Sequence, residues 1–154
     1  MFTNALEIKS DFVPAIVGMG NLHFEIHESQ KSFEMHQRAL SIQPNNIVAI
    51  VGIANACYDL KCMRDATLYY EKALRLSGGI KLPGPPGDVQ YNLANAYNNL
   101  KETDASIRYY KQSLEHDPKR GECHYNLGNA YFSKQRYSEA IDHFKKAFLC
   151  STNL

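Results

Sequence analysis

Residues 92–114 read NLANAYNNLKETDASIRYYKQSL, and residues 126–148 read NLGNAYFSKQRYSEAIDHFKKAF. The two stretches align without a gap at a spacing of 34 residues. GIANACYDLKCMRDATLYYEKAL, starting at Gly52, lies 40 residues before the first of them, and GMGNLHFEIHESQKSFEMHQRAL, starting at Gly18, lies 34 before that. A fixed period of this length marks a repeat architecture. The units run 13–46, 47–80, 87–120 and 121–154, with an insertion at 81–86.

Slot by slot, the units agree in residue size. One position holds Met19, Ile53, Leu93 and Leu127, and the next is always small: Gly20, Ala54, Ala94 and Gly128. His23, Cys57, Tyr97 and Tyr131 follow three residues on. Later come a small slot (Ser32, Ala66, Ser106, Ala140), a ring slot (His36, Tyr70, Tyr110, Phe144) and a second small slot (Ala39, Ala73, Ser113, Ala147). These spacings place one apolar stripe on each of two short helices per unit. Small residues let the backbones approach and large ones fill the facing gap. Pro44 and Pro118 end the second helix, because proline cannot continue the hydrogen-bond ladder. Neither helix pair buries its stripe alone, so neighbouring pairs must stack.

Period and slots together resemble the tetratricopeptide repeat family, over nearly the whole chain. The resemblance implies an all-α fold, a helix-turn-helix solenoid wound as a right-handed superhelix. The aromatic slot early in the first helix departs from the family, holding Ile16, Ile50, Gln90 and His124, and the proline slot is Gly78 and Thr152 in two units. Phe2, Ala5 and Leu6 match the end of a second helix, so residues 1–12 read as the tail of a preceding repeat. Leu154 closes the last unit with no polar capping helix after it, which points to a fragment of a longer array, or to self-association through uncapped ends. In the insertion, Pro83, Gly84, Pro85 and Pro86 exclude helix and predict a loop.

Composition narrows the function. Lys and Arg total 17 against 16 Asp and Glu, a formal net charge of +1, which argues against nucleic acid and anionic membranes as partners. Cys57, Cys62, Cys123 and Cys150 form no C-x-x-C pair, and scattered thiols fit a reducing, cytoplasmic compartment. The chain starts without a signal-peptide pattern, and its longest uncharged run, Ala39 to Tyr58, is interrupted by Gln43, Pro44, Asn45 and Asn46. Phosphate-loop, nucleophile-elbow and zinc-helix motifs are missing, so no catalytic residue and no cofactor is assigned. His23 and His27 lie one helical turn apart beside Glu28, but His23 and His36 occupy ring slots of the core and are expected to hydrogen-bond to each other rather than hold a metal. His116, His124 and His143 fall on separate helices and predict no cluster.

A second stripe on the first helix of each unit carries the functional reading. It holds Val17, Asn21, Phe24; Val51, Asn55, Tyr58; Tyr91, Asn95, Asn98; and Tyr125, Asn129, Phe132, with Asn92 and Asn126 adding a second row. In tetratricopeptide arrays this helix lines the concave surface, so the resemblance implies an asparagine ladder flanked by aromatics, similar to that of the O-GlcNAc transferase repeats. An Asn amide offers both acceptor and donors, so a ladder suits the backbone of an extended peptide. The aromatic rings add contact area at little rotamer cost. The predicted peptide-binding residues are Asn55, Tyr58, Tyr91, Asn92, Asn95, Asn98, Tyr125, Asn126, Asn129 and Phe132.

One sub-family is disfavoured. Chaperone-binding tetratricopeptide domains hold a C-terminal carboxylate with cations, and the corresponding places here are Val51, Asn55, Asn92, Glu122 and Asn126. No cation is among them and Glu122 repels a carboxylate, so a heat-shock chaperone tail is not the expected partner. The sequence therefore predicts a non-catalytic protein-interaction scaffold that takes a peptide or partner helix in its groove. The alternative is a substrate-recruiting arm of a larger enzyme such as a glycosyltransferase, and fold alone does not separate the two.

Overall fold

A computed structural model describes residues 11–78 and 81–152. Those residues form eight α-helices and no strand: α1 (Val13–Glu25), α2 (Ser29–Ile42), α3 (Ile47–Asp59), α4 (Met63–Ser77), α5 (Asp88–Asn99), α6 (Thr103–His116), α7 (Gly121–Ser133) and α8 (Tyr137–Thr152). Two compact units divide between Pro83 and Gly84, within the insertion. One helix pair falls inside each 34-residue stretch. The helical tail expected at residues 1–12 lies outside the described residues except for Asp11 and Phe12, and Phe12 is the N-cap of α1. Leu154 also lies outside them.

In the first unit α1 packs on α2, α3 on α4, and α2 on α3. In the second, α5 packs on α6, α7 on α8, and α6 on α7. The small slots explain the close fits. Gly20, Ala54, Ala94 and Gly128 are all buried, as are Ser32, Ala66, Ser106 and Ala140. A Cβ on Gly128 would meet the Phe144 ring at 2.7 Å, so the bare backbone there is what admits the ring. His36 occupies the equivalent ring slot of the first pair, wedged between Gly20 of α1 and Gly52 of α3. It is fully buried, and among the described residues neither ring nitrogen has a hydrogen-bond partner. The bond expected between His23 and His36 is not formed: His23 Nδ1 instead pairs with Glu28 Oε2 at 2.7 Å, because the ring lies half-buried at the end of α1.

The turn inside each pair has one recurring device. His27, Lys61, Lys101 and Gln135 all take left-handed backbone, with φ of 61, 65, 64 and 59°. The residue after each donates its N–H five residues back, as Glu102 does to Tyr97 O at 3.0 Å and Arg136 to Tyr131 O at 3.0 Å. This satisfies carbonyls that the helix end would leave open. Gly is the usual choice at such a position, and none of the four is Gly, which is why the sequence did not announce the turn.

Pro44 and Pro118 each follow the end of a helix, at Ile42 and His116, by two residues. Asn46 caps α3 by accepting from Ala49 N at 3.0 Å. Gly87 starts α5 with φ of 75°, and Ser113 Oγ of α6 donates to its carbonyl at 2.8 Å. A Cβ on Gly87 would lie 2.6 Å from Ser113 O, so both the conformation and the space at this position require glycine.

Candidate functional site

Of the predicted site residues, Asn55 and Tyr58 belong to α3 in the first unit and the other eight to α5 and α7 in the second. In the second unit the stripe is partly consumed by the fold. Tyr110 is fully buried, and its hydroxyl donates to Asn95 Oδ1 at 2.6 Å. The same oxygen accepts from Asn126 Nδ2 at 3.2 Å, and Asn126 Nδ2 also donates to Tyr91 Oη at 3.1 Å. Two amides and two phenols thus form one network joining α5, α6 and α7. In the first unit Tyr70 donates to Asn55 Oδ1 at 2.5 Å in the same manner. The expectation that these asparagines present both amide ends to a peptide is therefore corrected for Asn55 and Asn95. Their oxygens hold a tyrosine hydroxyl, since a buried phenol needs an acceptor.

The remaining positions differ. In the last pair the ring slot holds Phe144, which has no hydroxyl, and Asn129 is exposed with no side-chain hydrogen bond among the described residues. Asn92 is half-buried and Asn98 exposed, and neither amide makes a side-chain bond among the described residues. Tyr125 is 55% exposed and Phe132 60% exposed. Phe132 stands edge-on to Tyr137 at 5.6 Å, and Tyr125 tilts over Phe144 at 5.8 Å. Val17 and Val51, on the same stripe in the first unit, are buried and offer nothing to a ligand.

Tyr91 stands at the edge of the network. Burial raises its phenol pKa, the hydrogen bond with Asn95 opposes that shift, and the Glu122 carboxylate reinforces it. The Arg120 guanidinium lies 5.0 Å from the Tyr91 ring centre and pairs with Asp88 at 3.1 Å and Asp117 at 3.6 Å. Next to it opens a groove of about 1100 Å³, lined on one side by Glu122, Tyr125 and Asn126 and on the other by Phe144, Ala147, Phe148 and Ser151. Phe148 is 67% exposed. Phe144 and Phe148 were not on the predicted stripe; their place on the last helix, with an apolar face left open, is what brings them into the site.

The histidines also need correction. His124 and His143 do meet, with Nδ1 to Nδ1 at 3.0 Å and ring centres 5.2 Å apart. His124 Nε2 faces Pro118 O at 3.1 Å and so carries a proton, which makes its Nδ1 the acceptor and His143 Nδ1 the donor. α7 and α8 pack closely enough for residues 19 apart to touch, which sequence separation concealed. Among the described residues no three His, Cys, Asp or Glu side chains are placed to hold a metal. Burial pushes the Cys57 and Cys123 thiols up to about 11, so both are protonated at neutral pH. No described helix is long and apolar enough to cross a membrane.

Residues 86–148 match the tetratricopeptide repeat family. Among solved structures, a crystal structure of MamA superposes with a TM-score of 0.88 at 19% identity, covering 99% of this chain and 85% of that one. MamA residues 41 to the end, from Desulfovibrio magneticus RS-1, give 0.88 at 16% identity, with coverage of 99% and 82%. A chain of the APC/C hetero-tetramer Cut9-Hcn1 gives 0.86 at 20% identity, with 99% of this chain lying on 30% of that one. Residues 86–148 belong to the tetratricopeptide repeat family, and the chain has the all-α tetratricopeptide fold.

Proposed function

We propose that the protein is a non-catalytic, cytoplasmic interaction module that holds an extended segment of a partner protein on the inner face of its second unit. The repeats are taken as 13–46, 47–80, 87–120 and 121–154. The observation that carries the reading is one cluster on α7: Tyr125 and Phe132, both more than half exposed, on either side of the Asn129 amide, which has no hydrogen-bond partner among the described residues. Exposed rings grouped with polar side chains mark interaction surfaces rather than ordinary solvent faces. Asn92 and Asn98 continue the free amides on α5, while Asn95 and Asn126 hold the two helices in register. Cut9-Hcn1, similar in fold, is described as a hetero-tetramer, which fits a fold used for assembly.

Selection of a random library of extended dodecapeptides against the purified protein tests this reading. Peptides recovered on the wild type should lose at least tenfold in affinity for Tyr125→Ala combined with Asn129→Ala, with the helical circular dichroism spectrum unchanged. Undiminished binding to that variant would place the partner elsewhere.

A further inference from the structure

We propose that the groove beside Tyr125 accepts a basic side chain, Arg or Lys, of the bound segment, with Glu122 as its counter-ion. This rests on the reading that a partner segment lies on this face. It adds which residue of that segment is selected and by what.

The groove lining carries one carboxylate, Glu122, and one ammonium, Lys119, and the two form no ion pair with each other. Arg120 is already committed to Asp88 and Asp117, at 3.1 and 3.6 Å. Glu122 makes no ion pair among the described residues, and its contact is the Tyr91 hydroxyl at 3.5 Å. A carboxylate in the first turn of a helix is ordinary by itself, because it meets the positive end of the helix. Its surroundings are not ordinary. Glu122 shares the lining of a groove of about 1100 Å³ with Tyr91, Tyr125, Phe144 and Phe148. Any segment that covers these rings also takes water away from the carboxylate. An apolar or acidic segment would leave that charge buried and unpaired, which is strongly unfavourable. A guanidinium or ammonium neutralises it, and the alkyl stem of the same side chain lies on the rings.

The unit already contains this arrangement internally. Arg120 sits over the face of Tyr91 with the Asp88 carboxylate beside it. Lys119, also on the lining, is exposed and makes no ion pair among the described residues, so Glu122 has no counter-ion in this arrangement.

Nitrogen-15 titration of the full chain tests the proposal with three synthetic probes: acetyl-Ala-Leu-Arg-Leu-Ala-amide, and the same peptide with citrulline or with glutamate in place of arginine. The arginine peptide should bind at least fivefold more tightly than the citrulline peptide in low salt and shift Glu122, Tyr125 and Phe148. The glutamate peptide should bind least. Glu122→Gln, at an exposed position, should remove the preference for arginine over citrulline. Equal affinity for the arginine and citrulline peptides, or a preference that survives Glu122→Gln, overturns the charge inference while groove binding stands. Failure of all three peptides to shift the groove overturns both this inference and the proposed binding face.

Discussion

The Tyr110 hydroxyl donates to Asn95 Oδ1 at 2.6 Å across the α5–α6 pair, and Tyr70 makes the equivalent bond to Asn55 at 2.5 Å across α3–α4. Both pairs are 15 residues apart in sequence. The last pair keeps the asparagine, Asn129, but replaces the tyrosine with Phe144. One asparagine slot therefore serves two purposes. Where the partner helix brings a hydroxyl, the amide is structural; where it brings a plain ring, the amide is left for something else.

Phe144→Tyr should supply the missing hydroxyl opposite Asn129. Formation of this bond is expected to raise stability by about 0.5–1.5 kcal/mol, the usual net value for an intramolecular hydrogen bond. Urea unfolding monitored by circular dichroism reads the gain as a higher midpoint at unchanged slope. The same substitution should weaken partner binding, since the amide oxygen is withdrawn from the surface.

Acid should loosen the protein through His36, which is fully buried, and His143, which is half-buried. Burial pushes His36 down to about 4, and burial together with neighbouring His124, Lys146 and Lys111 pushes His143 down to about 4. Asp142 opposes the shift at His143. Both rings are neutral in the folded state, while in the unfolded chain they take protons from about pH 6.5 downward. Stability is therefore complete above that value and falls as the pH drops toward about 4. For His36, displacement from 6.5 to about 4 corresponds to roughly 3 kcal/mol. Melting temperatures at pH 7 and pH 4.5 should differ for the wild type, and the difference should shrink in His36→Phe.

Gln135→Gly should stabilise the turn between α7 and α8. Gln135 has φ of 59°, a conformation that disfavours any side chain with a Cβ. Relief of that strain, less the extra freedom glycine gives the unfolded chain, leaves a gain of about 0.5–1 kcal/mol. A melting temperature no higher than that of the wild type would show that the turn is unstrained.

Gly128→Leu should act in the opposite direction. A Cβ there already lies 2.7 Å from Phe144, so a larger side chain must expel the ring or part the helices. A loss on the order of 1–3 kcal/mol is expected from such overpacking. Denaturant titration of this variant beside Gly128→Ala orders the two by side-chain size.

The helices and their small slots were legible in the sequence because burial acts at each slot in every repeat. Gly20, Ala54, Ala94 and Gly128 face the same crowding, so periodicity alone exposes them. The candidate site was legible only in part. The sequence shows Asn at one slot four times over, yet the role of each depends on a residue 15 positions later. In the slot of His36, Tyr70, Tyr110 and Phe144 the repeat pattern preserves ring size, while only the two tyrosines carry a hydroxyl. The contact of His124 with His143 and the left-handed turns at Lys101 and Gln135 depend on backbone geometry that residue type does not encode.

The measurement that bears most directly on the account compares Asn95→Ala with Asn129→Ala, each assayed for thermal stability and for recovery of the selected peptide. Asn95→Ala removes the acceptor of the buried Tyr110 hydroxyl and of Asn126, and should cost about 1–3 kcal/mol. Asn129→Ala should melt like the wild type and lose most of its peptide binding. A protein with Asn129→Ala that binds as the wild type does, or one with Asn95→Ala that melts as the wild type does, would contradict the division of this slot into structural and binding asparagines.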